Sequence, residues 1–197
     1  GVTGSNFNAS VAGTSGSPHT ITYTVISGAC TATATNSIVV SSMPSVTFSG
    51  SIPAQCETST TLDLTVYANP SGGTFSGNGV TGSNFNASVA GTSGSPHTIT
   101  YSVISGACTA TATNSIVVNS MPSVTFSGSI PAQCVTSTTL NLSSYASPSG
   151  GIFSGNGVTG SNFDANAAGS SGSPHTITYT VINGACTATA TNSIVVN

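Results

Sequence analysis

The chain has 197 residues, no lysine or arginine, three acidic residues and three histidines, for a formal net charge of -3. Without cations it offers no Schiff-base lysine, no bidentate clamp for carboxylate or phosphate, and nothing to displace the counterions of a nucleic acid. Hydrophobic residues make up 37% of the chain, enough to exclude disorder by composition, while every apolar stretch is far shorter than the ~20 residues of a membrane span.

The first stretch, Gly1-Val2-Thr3-Gly4-Ser5-Asn6-Phe7, returns at Gly79 and at Gly157, a period of 78 residues. Between 1–78 and 79–156 only eight positions differ (24, 41, 57, 63, 65, 66, 69 and 74), and six of these fall between 57 and 74. A repeat of this length suits a small domain rather than a solenoid coil. Ser41-Ser42-Met43-Pro44 and Asn119-Ser120-Met121-Pro122 read as extended linkers, because the residue before proline is held out of the helical region. Complete units are therefore expected at 43–119 and 121–197, with 1–41 as the C-terminal half of another unit. Its missing strands are expected from upstream chain or a neighbouring molecule, and an export signal from outside this segment.

Within the last unit the expected strands, in chain order, are residues 123–126, 139–142 and 151–153, separated by turn chemistry at Pro131, Pro148 and Gly150-Gly151. His175-Thr176-Ile177-Thr178-Tyr179-Thr180-Val181 then alternates, with Ile177, Tyr179 and Val181 on one face. Asn183-Gly184 marks a hairpin turn, followed by the alternating run from Cys186 to Thr191 and the apolar end Ile194-Val195-Val196. About seven short strands per unit and no helical periodicity predict an all-β protein built of tandem β-sandwiches.

Each complete unit holds two cysteines, Cys56 with Cys108 and Cys134 with Cys186, and Cys30 belongs to the partial unit. Two pairings respect the period. Within units, Cys56 joins Cys108 and Cys134 joins Cys186, leaving Cys30 to pair outside this segment. Across the linkers, Cys30 joins Cys56 and Cys108 joins Cys134. The within-unit pairing is preferred, because a small core gains about 2–4 kcal/mol from an internal staple. Neither arrangement has the spacing of a zinc site.

The run Gly72-Gly73-Thr74-Phe75-Ser76-Gly77-Asn78-Gly79-Val80, then Phe85-Asn86, Ala90-Gly91, His97-Thr98-Ile99-Thr100-Tyr101 and Cys108-Thr109-Ala110-Thr111-Ala112, is similar to a bacterial Ig-like repeat. Such repeats occur in very large secreted surface proteins of the Bacteroidota, among them gliding-type adhesins and type IX secretion substrates. The resemblance covers essentially the whole chain. It implies Ig-like sandwiches, a structural spacer or adhesive stalk, and a place at the cell surface. The chain departs from the antibody pattern in having no tryptophan and no cysteine two residues after Tyr101.

His19, His97 and His175 recur without acidic or cysteine partners and are expected to bond locally. Glu57, Asp63 and Asp164 are replaced one period away by Val135, Asn141 and Asn86, so no acid recurs and neither calcium nor a paired-carboxylate hydrolase is expected. Threonines at 98, 100, 109, 111 and 113 fit the exposed face of strands, with ice or sugar binding as the sharper alternative. Sequons begin at Asn8, Asn86 and Asn141. No enzyme, cofactor or metal is expected. The expectation is a disulfide-stapled structural segment of an extracellular fibre or adhesin stalk, partnered by copies of itself or adjoining repeats. The alternative is an adhesive module that binds a ligand or surface glycans by avidity through the variable stretch, with Glu57, Asp63, Asn69 and Thr74 in contact.

Overall fold

The computed structural model describes residues 1–197. Strands dominate, interrupted by three four-residue helices (Ala9–Ala12, Ala87–Ala90 and Ala165–Ala168) and two 3-10 turns (Thr65–Tyr67 and Ser143–Tyr145). The chain is all-β, and its elements recur with the period of the sequence.

The longest element of each repeat is a hairpin. In the middle repeat His97–Ser105 and Cys108–Ile116 pair antiparallel, from His97 opposite Ile116 to Ser105 opposite Cys108. Alternation does what the sequence predicts: His97, Ile99 and Tyr101 turn inward and are buried, while Thr109, Thr111 and Thr113 face out. The turn differs by one residue from the expectation. Asn183 is the last strand residue, paired with Cys186, so Gly184 and Ala185 form the loop. Gly184 has φ of 56° and no residue other than glycine has positive φ, which is the pattern of a type II′ turn.

Thr74–Ser76 adds a third strand to this hairpin, with Phe75 opposite Tyr101. Facing it are short sheets: Leu62–Asp63 with Asn84–Phe85 and Val80–Thr81, and Thr47–Phe48 with Ala68–Asn69. The core lies between these layers and includes Phe48, Leu64, Phe85, Ile99, Tyr101 and Ile116. A separate cluster, with Phe126, Leu142, Phe163, Ile177, Tyr179 and Ile194, fills the last repeat. Each such side chain, once buried, contributes roughly 1.5–3 kcal/mol.

One tyrosine ties the two halves of each complete repeat together. Tyr101 Oη donates to Pro70 O and accepts from Gly73 N at 2.8 Å, and its ring lies 4.5 Å from that of Phe75. Gly73 is required there, since a Cβ would fall 2.5 Å from Ser102 O and from the tyrosine ring. Tyr179 repeats the arrangement with Pro148 O and Gly151 N.

The middle repeat contains ten strand segments rather than about seven, because several are only two residues long. Its helix was not visible as periodicity, four residues being barely one turn. Asn86 caps it, with Oδ1 accepting from Ser88 N at 3.0 Å and Val89 N at 3.3 Å, and Ala87 and Ala90 pack into the core. Residues 1–41 keep the hairpin and the helix but bury no residue.

Candidate functional site: the junction between repeats

The junction is built by the end of one repeat, the linker after it, and the hairpin turn of the next. Val118–Asn119 runs parallel to Gln55–Cys56, with Asn119 opposite Cys56. Gln55 N donates to Val117 O at 2.8 Å and Glu57 N to Asn119 O at 2.9 Å. The Glu57 carboxylate then accepts from Met121 N at 2.8 Å, so the linker is fastened to the segment around the first cysteine.

The next hairpin lands on that linker. Ala185 N donates to Asn119 Oδ1 at 3.0 Å, and Asn183 Nδ2 to Ser120 O at 2.9 Å. Gly184 presses so closely on the Asn119 amide that no Cβ fits between them. Cys186 follows immediately, its sulfur 3.1 Å from Asn119 O, and is bonded to Cys56 with the two Cα atoms 4.9 Å apart. The disulfide thus joins the first cysteine of one repeat to the second cysteine of the next, 130 residues later.

This corrects the expected pairing. Cys56 does not join Cys108, Cys134 does not join Cys186, and the linker-spanning alternative is not formed either. The reason is the length of the hairpin. Cys108 sits at its turn, opposite Ser105, whereas Cys56 lies beside Asn119, past the far end of the same strand. Eight steps of extended chain from Cys108 to Ile116 alone cover about 26 Å. Within a repeat the two cysteines are therefore at opposite poles, and stacking brings unlike poles of successive repeats together. A separation of 130 equals the within-unit spacing of 52 plus one period of 78, and so it too respects the repeat.

Cys30, Cys108 and Cys134 remain thiols. Cys108 donates to Ser41 O at 3.4 Å, the counterpart of the contact between Cys186 and Asn119. Gly106 likewise abuts Ser41, as Gly184 abuts Asn119. At both junctions the hairpin turn hence lands on the linker in the same way, with the second reinforced by the longer side chains of Asn119 and Asn183. Cys134 is exposed, and hydrogen bonds from Thr136, first its hydroxyl 3.3 Å away and then its backbone N–H, hold the thiol pKa below the ordinary 9.0.

No protein-family model and no curated protein matches the chain.

The acidic residues of the variable stretch lie apart. Glu57 is at the junction. Asp63, fully exposed, accepts from Thr65 N at 2.9 Å and Thr65 Oγ1 at 2.7 Å, and these bonds, the backbone one foremost, lower its pKa. Asn141 accepts from Ser143 N in the same way, so the acid and the amide are interchangeable there. Asp164 caps its short helix as Asn86 does, accepting from Asn166 N at 2.9 Å. Asn69 is exposed opposite Thr47, in a sheet separate from that of Asp63.

Thr74 stands opposite Ser102, which stands opposite Thr111, so it extends the outward hydroxyl rows of the hairpin. Its counterpart Ile152 is 63% exposed, and the row is broken there by an apolar side chain. The histidines bond locally: His97 Nε2 donates to Gly91 O at 2.7 Å, with Asn78 Nδ2 3.5 Å from Nδ1, and His175 and His19 bond Gly169 O and Gly13 O. Nowhere do three His, Cys, Asp or Glu side chains converge as a metal site would need.

Proposed function

We propose that the chain is a structural segment of an extracellular bacterial surface fibre or adhesin stalk, in which sandwich stacks on sandwich and the junction between the two complete repeats carries a covalent tie. The observation behind this reading is the Cys56–Cys186 disulfide, which spans two repeats instead of stapling one. A bond there does not staple the two layers of either repeat to each other. It fixes the relation between them, which matters to a protein whose job is to hold a length and a direction. Disulfides persist in oxidising compartments, which supports an extracellular location. The resemblance to Ig-like repeats of Bacteroidota surface proteins points the same way.

The composition fits the role. A surface nearly free of charge favours contact between copies of the chain or adjoining repeats, a fault in a soluble enzyme and an advantage in a filament. The landing of the hairpin turn on the linker, being the same at both junctions, extends by repetition. Electron micrographs of the protein with its disulfide intact are expected to show straight rods with a regular axial repeat set by one unit, unchanged by raised salt. An irregular string of jointed beads would overturn the reading.

A further inference from the structure

Residues 1–41 present a surface that both complete repeats keep covered. Tyr23 is 70% exposed where Tyr101 is 1% exposed, and Ile38 is 36% exposed where Ile116 is fully buried. Together with Phe7 and Ile21 they line an open hollow of about 460 Å3. Three backbone seams are open beside it. His19–Ser27 pairs only with Cys30–Ile38, whereas its counterpart also takes Thr74–Ser76. Asn6–Phe7 pairs only with Val2–Thr3, whereas its counterpart also takes Leu62–Asp63. Ser41, unlike Asn119, has no strand alongside it.

In both complete repeats one segment fills all of these places. For the middle repeat it is residues 43–78, which supply Phe48, Leu64 and Phe75 to the core and the Pro70 and Gly73 groups that hold the tyrosine hydroxyl. The same segment carries Cys56 to Asn119, against which Cys186 rests. Shifted back by one repeat, it would carry its cysteine to Ser41, where the Cys108 thiol already donates to the carbonyl. The open face and the thiol of the neighbouring repeat are thus addressed by a single occupant.

We propose that residues 1–41 and Cys108 together form a docking site for the N-terminal half of a further repeat, a segment with the chemistry of residues 43–78. That segment closes the sandwich by strand addition and then forms a disulfide with Cys108. The exchange needs a small disulfide as oxidant, such as oxidised glutathione, held as a mixed disulfide on the incoming cysteine. The Cys108 thiol loses its proton, its sulfur attacks the incoming cysteine sulfur, the new S–S bond forms, and the glutathione leaves as thiolate and takes up a proton. This docking follows from the geometry of the repeat itself and does not depend on a place in a stalk.

The test uses the whole 197-residue protein and a synthetic peptide of residues 43–78 whose cysteine is activated as a mixed disulfide with thiopyridine. Release of thiopyridone reports the reaction optically. The expected result is one fast equivalent at Cys108, on the order of 100-fold faster than with a scrambled peptide, as docking replaces micromolar peptide by an effective concentration in the millimolar range. Cys108→Ser should abolish the fast phase, and Tyr23→Asp should slow it to the scrambled-peptide rate. Undirected chemistry would choose differently, because Cys134 is exposed and hydrogen bonds from Thr136 lower its thiol pKa. Fast reaction at Cys134 or Cys30, an unchanged rate in Cys108→Ser, or pairing of two open faces that shuts out the peptide would each overturn the proposal.

Discussion

Two of the three carboxylates do what an amide does elsewhere in the same chain. Asp63 holds the backbone N–H of Thr65 as Asn141 holds that of Ser143, and Asp164 caps its helix as Asn86 caps the preceding one. What the carboxylate adds at Asp63 is a dependence on pH. Its folded pKa lies below the ordinary 3.8, because the Thr65 N–H and O–H stabilise the charged form. The contribution of the ionised group is therefore complete above 3.8 and is lost as pH falls through the lowered value. Thermal melts followed from about pH 5 down to about pH 2 should fall less steeply for Asp63→Asn than for the unaltered protein. At neutral pH the two should coincide, since an asparagine already serves at the equivalent place. A variant with an unchanged acid limb would show that the Thr65 bonds do not couple to folding.

At the scale of elements the hairpin was the most legible part of the sequence. Period-two alternation placed Ile177, Tyr179 and Val181 inward, as found. Its far-reaching consequence was not legible. Alternation says which side of a strand a residue faces and not where its two ends go, so the poles that separate Cys56 from Cys108 emerge only when nine residues are laid out straight. Tyr101 shows the same limit: its inward direction could be read, but the Pro70 and Gly73 groups that receive its hydroxyl lie about 30 residues away, beyond three short strands and a helix. The turn glycine carries a second role, since Gly184 both adopts φ of 56° and lets the next repeat settle on Asn119. Gly184→Ala should strain the turn by about 1 kcal/mol and hold the repeats apart. After reduction, re-formation of Cys56–Cys186 is expected to slow severalfold in this variant, as followed by thiol trapping. The equivalent change at Gly150, where a Cβ meets nothing, should leave that rate unaltered.

Across the whole molecule, the disulfide closes a loop that includes most of two repeats. In the chain-entropy account, a loop of 130 residues is worth roughly 5 kcal/mol against the unfolded state. The larger effect is mechanical. A pull applied at Gly1 and Asn197 passes from Cys56 to Cys186 through the sulfurs, so the residues between them bear no tension. Extended chain spans up to about 3.5 Å per residue, and about 450 Å of extension is thereby withheld. Single-molecule stretching should show this length appearing only when a reductant is added. Its appearance in oxidising buffer would mean that the junction bond does not carry the load.

The disulfide also has a direction in time. The first cysteine of a repeat finds its partner in the next one, so during synthesis Cys56 emerges 130 residues before Cys186. Through that interval the correct partner does not yet exist, while Cys108 passes by as a decoy 52 positions on. Once folded, the hairpin that holds Cys108 at the opposite pole keeps the wrong thiol out of reach until the right one arrives, so the geometry of the repeat itself selects the partner.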